Sequence, residues 1–217
     1  MRGLAFFGGT FDPVHRGHLA IAHAALQALP VTALRFVPAR APWQKRAVTN
    51  AYARVTMLRL AIQYEPRFGV ETCELLRSGP TYTIDTLRAL RARLPEGMPL
   101  IWVMGGDQWR TLETWKNWEA LFEYAHVAVA ARAGEKLETS EAVAAFARSR
   151  TVACGALADV AVGRAAFFDM TPHLASSSAI RGTIAREGRA RALSRFERVL
   201  CPSTAAYISE HGLYGRA

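Results

Sequence analysis

The sequence predicts a doubly wound parallel α/β sheet with helices on both faces, as one domain over residues 1–217, and three features carry that reading. The apolar run Leu4-Ala5-Phe6-Phe7 stops at Gly8-Gly9, as a buried strand does at a tight turn. From Gly17 to Leu29 the apolar positions Leu19, Ile21, Ala22, Ala25, Leu26 and Leu29 recur at helical spacing, so a strand passes through a glycine turn into a helix. The pattern returns at Leu100 to Met104, the most apolar strand, which ends at Gly105-Gly106-Asp107. In such sheets the carboxyl ends of the strands share one edge, and ligands bind in the crevice there.

The remaining elements follow in order. Leu34 to Pro38 reads as a short strand closed by proline. Ala39 to Thr49 is a loop whose Trp43, Lys45 and Arg46 suit a segment that covers a ligand. Asn50 caps a helix reaching about Tyr64, with Val55, Leu58, Leu60, Ala61 and Ile62 toward its buried side. Phe68 to Leu75 reads as a strand, and Thr83 opens a helix carrying Ile84, Leu87, Leu90 and Leu94, closed by Pro95. Trp118, Leu121 and Phe122 suggest a short helix, and His126 to Ala131 a strand ending at Arg132. Glu138 to Arg148 reads as helix, Val152 to Cys154 and Ala166 to Phe168 as short strands. Ser176-Ser177-Ser178, followed by Ile180 and Ile184, marks a helix N-terminus, and Pro202 to His211 a last helix stopped by Gly212.

Composition narrows the function classes. With 217 residues, 51% of them hydrophobic, the chain can bury a substantial core as one unit. No apolar run is long enough to cross a bilayer, and the first residues lack a basic stretch followed by an apolar signal, so a cytoplasmic protein without membrane association is expected. Cys73, Cys154 and Cys201 are distant and odd in number, which argues for free thiols and against a disulfide framework or a zinc site. A net charge of +9 raises nucleic acid as a partner. The arginines are nevertheless spread along the chain, and the densest stretch, Arg181 to Arg198, also holds Glu187 and Glu197, so an anionic small substrate suits the charge better. A homo-oligomer is compatible with everything in the sequence.

The chemistry concentrates at the first strand-to-helix turn, Gly8-Gly9-Thr10-Phe11-Asp12-Pro13-Val14-His15-Arg16-Gly17-His18. A helix N-terminus presents unpaired N–H groups and the positive end of its dipole, and glycine lets a phosphate approach the backbone. The turn has neither the Gly-Lys-Ser/Thr of a Walker loop nor G-x-G-x-x-G. It offers His15 and His18 instead, three residues apart and able to aim at one spot, an arrangement that stabilises charge in phosphoryl or nucleotidyl transfer. As a metal pair they lack a third ligand in any recognisable spacing, so no metal ligands are assigned. Asp12 before Pro13 is equally a turn former.

The stretch GGTFDPVHRGHL resembles the G-G-[ST]-F-D-P-x-H-x-G-H signature of the nucleotidyltransferase superfamily. Taken end to end, the chain resembles the bacterial nicotinate-nucleotide adenylyltransferase family, through Gly79-Pro80-Thr81-Tyr82-Thr83-Ile84-Asp85-Thr86-Leu87, Met104-Gly105-Gly106-Asp107, Thr114-Trp115, Arg132 with Gly134, and Ser176-Ser177-Ser178-Ala179-Ile180-Arg181. The first motif alone gives the superfamily; the middle motifs separate this family from the pantetheine-phosphate and cytidylyl branches. The resemblance implies adenylyl transfer from ATP, with Mg²⁺, to nicotinate mononucleotide. It implies catalytic roles for His15 and His18, and phosphate or ATP contacts for Gly8, Gly9, Thr10, Phe11, Lys45, Arg132, Ser177 and Arg181. It implies nicotinate mononucleotide contacts for Tyr82, Thr83, Asp107 and Trp115. Bland roles stand beside these: Asp107 and Thr83 as helix caps, Trp115 as core, Arg132 as a strand end. The sequence departs from the family at Gln44, often His, and at Ala175 and Ser178, commonly Ile and Thr. Another acceptor, pantetheine phosphate or nicotinamide mononucleotide, and a basic nucleotide-binding or nucleic-acid-binding protein on the same fold, are the rival readings.

Overall fold

The computed structural model describes residues 1–40, 48–132, 134, 137–171, 173 and 176–215. Six parallel strands form one sheet in the order β3-β2-β1-β4-β5-β6: β1 (Gly3–Gly9), β2 (Val31–Pro38), β3 (Phe68–Val70), β4 (Leu100–Gly105), β5 (His126–Arg132) and β6 (Ala165–Met170). The chain winds outward from β1 to β3, then returns to place β4 against the other side of β1. The strand order therefore reverses between β1 and β4, and the connections leaving those two strands diverge to open a crevice.

Alternation along the strands feeds two apolar layers. Ala5 and Phe7 of β1, Ile101 and Val103 of β4 and Ala128 of β5 face one side. There they meet α1 (Arg16–Ala28) and α2 (Ala51–Ile62) through Leu26 and Leu58, and α7 (Ser177–Glu187) and α9 (Pro202–Glu210) through Ile180 and Ile208. Phe6, Trp102, Met104, Val127 and Val129 face the other, against α3 (Thr83–Arg91), α4 (Gly106–Arg110), α5 (Leu121–Tyr124) and α6 (Glu141–Arg148). Burial on both faces is why these strands read as continuous apolar runs. A short helix, α8 (Arg189–Arg195), joins α7 to the C-terminal region and carries part of the arginine-dense stretch. Cys73, Cys154 and Cys201 are free and half-buried.

Three expectations need correction. The strand placed at 68–75 ends at Val70, because β3 is an edge strand paired with only Leu34, Arg35 and Phe36 of β2. Beyond it the Glu71 carboxylate accepts from the Cys73 N–H at 2.9 Å, and this local bond turns the chain away from the ladder. Val152 to Cys154 is no strand. Thr151 makes one isolated bridge to Ala165, its hydroxyl bonds back to the Ala147 carbonyl, and Cys154–Ala158 coils into a 3-10 turn. The helix opened by Thr83 closes at Arg91, before Leu94 and Pro95.

Candidate active site

A cleft of about 830 Å³ lies at the carboxyl ends of the strands, where the order reverses. Gly8 and Gly9 at the end of β1 and Thr10 just after it line its floor, as do Gly105 at the end of β4 and Gly106 at the start of α4. Gly8 is required by close approach: a Cβ there would stand 2.2 Å from Trp102 Cζ2. Phe11 adopts a left-handed backbone, with φ of 51°, and turns its ring into the core. Packed edge-on, it meets Phe7 at 5.5 Å and His18 at 5.0 Å between ring centroids. Phe11 thus supports the site from behind.

The two histidines are brought together as their spacing suggested. His15 caps α1, its Nδ1 accepting from the His18 N–H at 3.4 Å, while His18 Nδ1 accepts from the His15 N–H at 3.2 Å. The rings stack at 3.7 Å with 19° between planes. Because both Nδ1 atoms accept, the N–H of each ring lies on Nε2. The cleft wall therefore gains two N–H donors beside the first turn of α1, where Gly17 also lines the cleft.

Burial, together with repulsion from His173, pushes His15 from its ordinary 6.5 down to about 4. The unfolded chain therefore takes up this proton first as the pH falls. The stability that neutral His15 contributes is complete above about pH 6.5 and is lost as the pH drops through about 4. Between about pH 7 and about pH 4 the protein is expected to lose about 3 kcal/mol relative to His15→Gln, measured by urea unfolding. Equal pH slopes for the two proteins would refute it. Comparison with the variant is needed because Glu74, pushed up to about 7 by burial, acts in the opposite sense, its contribution falling as the pH rises from about 4.5 through 7.

Asp12 belongs to the frame of the turn. At 2% exposure, its Oδ1 accepts from the Tyr214 hydroxyl at 2.7 Å and its Oδ2 from the Thr49 N–H at 3.1 Å. Arg181 Nη1 donates to the Asp12 carbonyl at 2.6 Å, and the Ser177 hydroxyl to the Pro13 carbonyl at 2.9 Å. The start of α7 is thereby clamped onto the turn after β1, with Ser177 on the cleft wall and Arg181 turned to the frame. Arg132, at the end of β5, also reaches the wall, while Lys45 lies outside the described residues.

The opposite wall carries Thr81, Thr83, Asp107 and Trp115. Tyr82 starts α3 without a side-chain hydrogen bond to cap it, and the Lys116 ammonium covers the Tyr82 ring at 4.4 Å from its centroid. The Thr114–Lys116 segment is thus joined to the α3 N-terminus, which puts a half-buried indole beside a helix start. Gln108, whose Oε1 accepts from the Gly105 N–H at 3.1 Å, closes the start of α4, leaving Asp107 exposed on the wall. Thr83 likewise lines the cleft.

Sequence reasoning missed Glu74, which lines the cleft at 4% exposure. Its Oε1 accepts from the Thr86 hydroxyl at 2.6 Å, and Arg77 donates to that same hydroxyl at 2.5 Å. Placed inside an expected strand, Glu74 gave no separate signal. Arg54, wholly buried, was also missed: Nη1 donates to the Thr10 carbonyl at 2.6 Å, Nη2 to Ala39 at 2.6 Å and Nε to Thr49 at 2.9 Å. An arginine among the apolar positions of α2 looks like an exposed residue until its partners are known.

The arrangement pairs a donor-rich wall, suited to a chain of phosphates, with a wall offering an aromatic face and a helix N-terminus, suited to a flat anionic ring. Comparison with known proteins identifies what the chain is similar to. The family described as cytidylyltransferase-like matches residues 6–188. A probable nicotinate-nucleotide adenylyltransferase of Stenotrophomonas maltophilia is 43% identical over 219 residues, covering 96% of this chain and 95% of that one. One from Neisseria meningitidis serogroup C is 36% identical over 217 residues, covering 99% of each. Among solved structures, the nicotinic acid mononucleotide adenylyltransferase of Plasmodium falciparum complexed with NaAD shares the fold with a TM-score of 0.71 at 18% identity, over 99% of this chain and 98% of that one.

Proposed function

Since the chain belongs to the cytidylyltransferase-like family, and within it to the nicotinate-nucleotide adenylyltransferases, we propose that it joins ATP and nicotinate mononucleotide to give nicotinate adenine dinucleotide and pyrophosphate. Residues 1–217 would act as one catalytic unit, in the cytoplasm, in NAD biosynthesis. The observation that carries the reading is the stacked His15–His18 pair, its Nε2 donors beside a helix N-terminus at the reversal of strand order.

A phosphate oxygen of nicotinate mononucleotide attacks the α-phosphorus of ATP in line. The bond from that phosphorus to the bridging oxygen breaks, and pyrophosphate leaves with the electron pair. No protein nucleophile is needed, so the rate rests on positioning and on donors placed where charge develops. His15 and His18 donate to the transferring phosphoryl group. Gly8, Gly9 and Thr10 keep the floor open for it, with Phe11 fixing His18 from behind. Ser177, Arg132 and Lys45 serve the remaining phosphates; Arg181 joins them by exchanging its bond to the Asp12 carbonyl. Trp115 stacks on the pyridine ring, the first turn of α3 at Tyr82 and Thr83 takes the nicotinate carboxylate, and Asp107 accepts from the sugar hydroxyls.

Among the described residues no group of three or more His, Cys, Asp or Glu side chains is arranged to hold a metal ion. The donors on the phosphate wall fit anionic oxygens, so Mg²⁺ fits as a companion of ATP held by phosphates and water. When bound it offsets phosphate charge.

Pyrophosphate release with ATP and Mg²⁺ tests the proposal when nicotinate mononucleotide, nicotinamide mononucleotide and pantetheine phosphate are offered in parallel. The expected result is kcat/KM at least about tenfold higher for the acid nucleotide than for the amide, because the amide leaves the α3 N–H groups without their anion. Turnover confined to pantetheine phosphate would overturn the acceptor, and release with none of the three would overturn the reaction.

A further inference from the structure

Among the described residues, one buried polar atom on the cleft wall has no hydrogen-bond partner. His173 stands on the connection from β6 to α7, lining the cleft together with His15, His18 and Ser176 to Ser178. Its Nδ1 is buried and makes no hydrogen bond. Buried imidazole nitrogens are ordinarily satisfied, as at His126 in β5, where Nε2 meets the Val160 carbonyl at 2.9 Å and Nδ1 accepts from the Arg164 N–H at 3.0 Å. His173 differs from His126 by facing the cleft.

The surroundings of His173 select what completes it. The nearby wall is made of donors: the Nε2 protons of His15 and His18, the first turn of α7, and Arg132 at the end of β5. An imidazole N–H in such a wall needs an acceptor, and an oxygen of a polyanion is the acceptor that this positive surrounding favours. Repulsion from His173 is one of the influences on His15, which marks the two rings as electrostatic neighbours. A phosphate chain between them would relieve that repulsion.

We propose that His173 is a third imidazole ligand of the polyphosphate, holding the part of ATP that departs as pyrophosphate. This rests on the adenylyl-transfer reading above, and it adds a residue from the β6–α7 connection to the pair at the N-terminus of α1. Gripping the leaving group beside His15 and His18 helps to fix the line along which the phosphorus–oxygen bond breaks. It also stabilises the negative charge gathered on the departing pyrophosphate.

Calorimetric titration of inorganic pyrophosphate into the wild-type protein, His173→Ala and His173→Gln tests the proposal, with initial-rate kinetics beside it. His173→Ala is expected to weaken pyrophosphate binding about tenfold and to raise the KM for ATP by a similar factor, leaving the KM for nicotinate mononucleotide unchanged. His173→Gln, which keeps an N–H donor, is expected to recover affinity to within about threefold. Unchanged pyrophosphate affinity in His173→Ala, or no binding to the wild-type protein, would overturn the assignment. An equal rise in both KM values would overturn it too, since that pattern belongs to a loosened fold. The two readings fail separately: wild-type protein that binds pyrophosphate through His173 yet adenylates no nucleotide refutes only the acceptor reaction.

Discussion

Alanine at His18 is expected to lower kcat by about 100- to 1,000-fold while the protein stays folded, the size of effect seen when one donor to a developing oxyanion is removed. The ring contributes at two levels. Its Nδ1 accepts from the His15 N–H at 3.2 Å, and its stack on His15 at 3.7 Å holds both Nε2 donors toward one point. Removing it deletes one donor and loosens the other. The packing lost is modest, since the contacts are an edge-on approach to Phe11 at 5.0 Å and a tilted one to Phe7 at 6.3 Å. His15→Ala is the less clean experiment because His15 is also the N-cap of α1, and truncating a cap costs about 1 kcal/mol of stability besides. The check is the rate of pyrophosphate release at saturating ATP and nicotinate mononucleotide, with a thermal melt of the same sample. A kcat within about threefold of wild type would remove His18 from the chemistry.

What could be read from the residues, and what could not, follows from how local each determinant is. The turn after β1 was legible because the apolar strand, the glycines and the helical period lie within one stretch from Leu4 to Leu29. The end of β4 was legible for the same reason, and parallel strands then carry both turns to one edge without further information. Edge elements were harder. The end of β3 depends on a Glu71 side chain taking the Cys73 N–H, and the absence of a strand at Val152 depends on Thr151 bonding back to α6. Periodicity contains neither competition. In the site, His15, His18, Thr83, Asp107, Trp115, Arg132 and Ser177 all reach one cleft. Glu74 and Arg54 escaped because their significance lies in partners distant in sequence, Thr86 for one and Thr10 for the other.

Arg54→Met is expected to cost about 4 kcal/mol or more of stability, a large part of the 5–15 kcal/mol that holds an ordinary domain together. The guanidinium is wholly buried and is held by carbonyl oxygens: Thr10 at 2.6 Å, Ala39 at 2.6 Å, Thr49 at 2.9 Å and Arg40 at 3.4 Å. Burial weakens its hold on the proton, and the negative charge of Asp12 is the largest influence opposing that. Methionine fills much of the volume but leaves those carbonyls without a donor, and each buried unpaired carbonyl costs about 1–3 kcal/mol. Lysine is a poor rescue, since one ammonium cannot reproduce a planar fork that meets three directions at once. The same geometry predicts a kinetic consequence. Thr10 belongs to the turn after β1, whereas Ala39 and Thr49 border the segment before α2, so one side chain ties both ends of that segment to the floor of the cleft. A variant kept folded at low temperature should therefore lose kcat as well, although Arg54 touches no substrate. Urea unfolding with steady-state kinetics at about 10 °C separates the two effects. A stability change under about 1 kcal/mol would refute the clasp, and full kcat in a destabilised protein would show that the turn holds its shape without it.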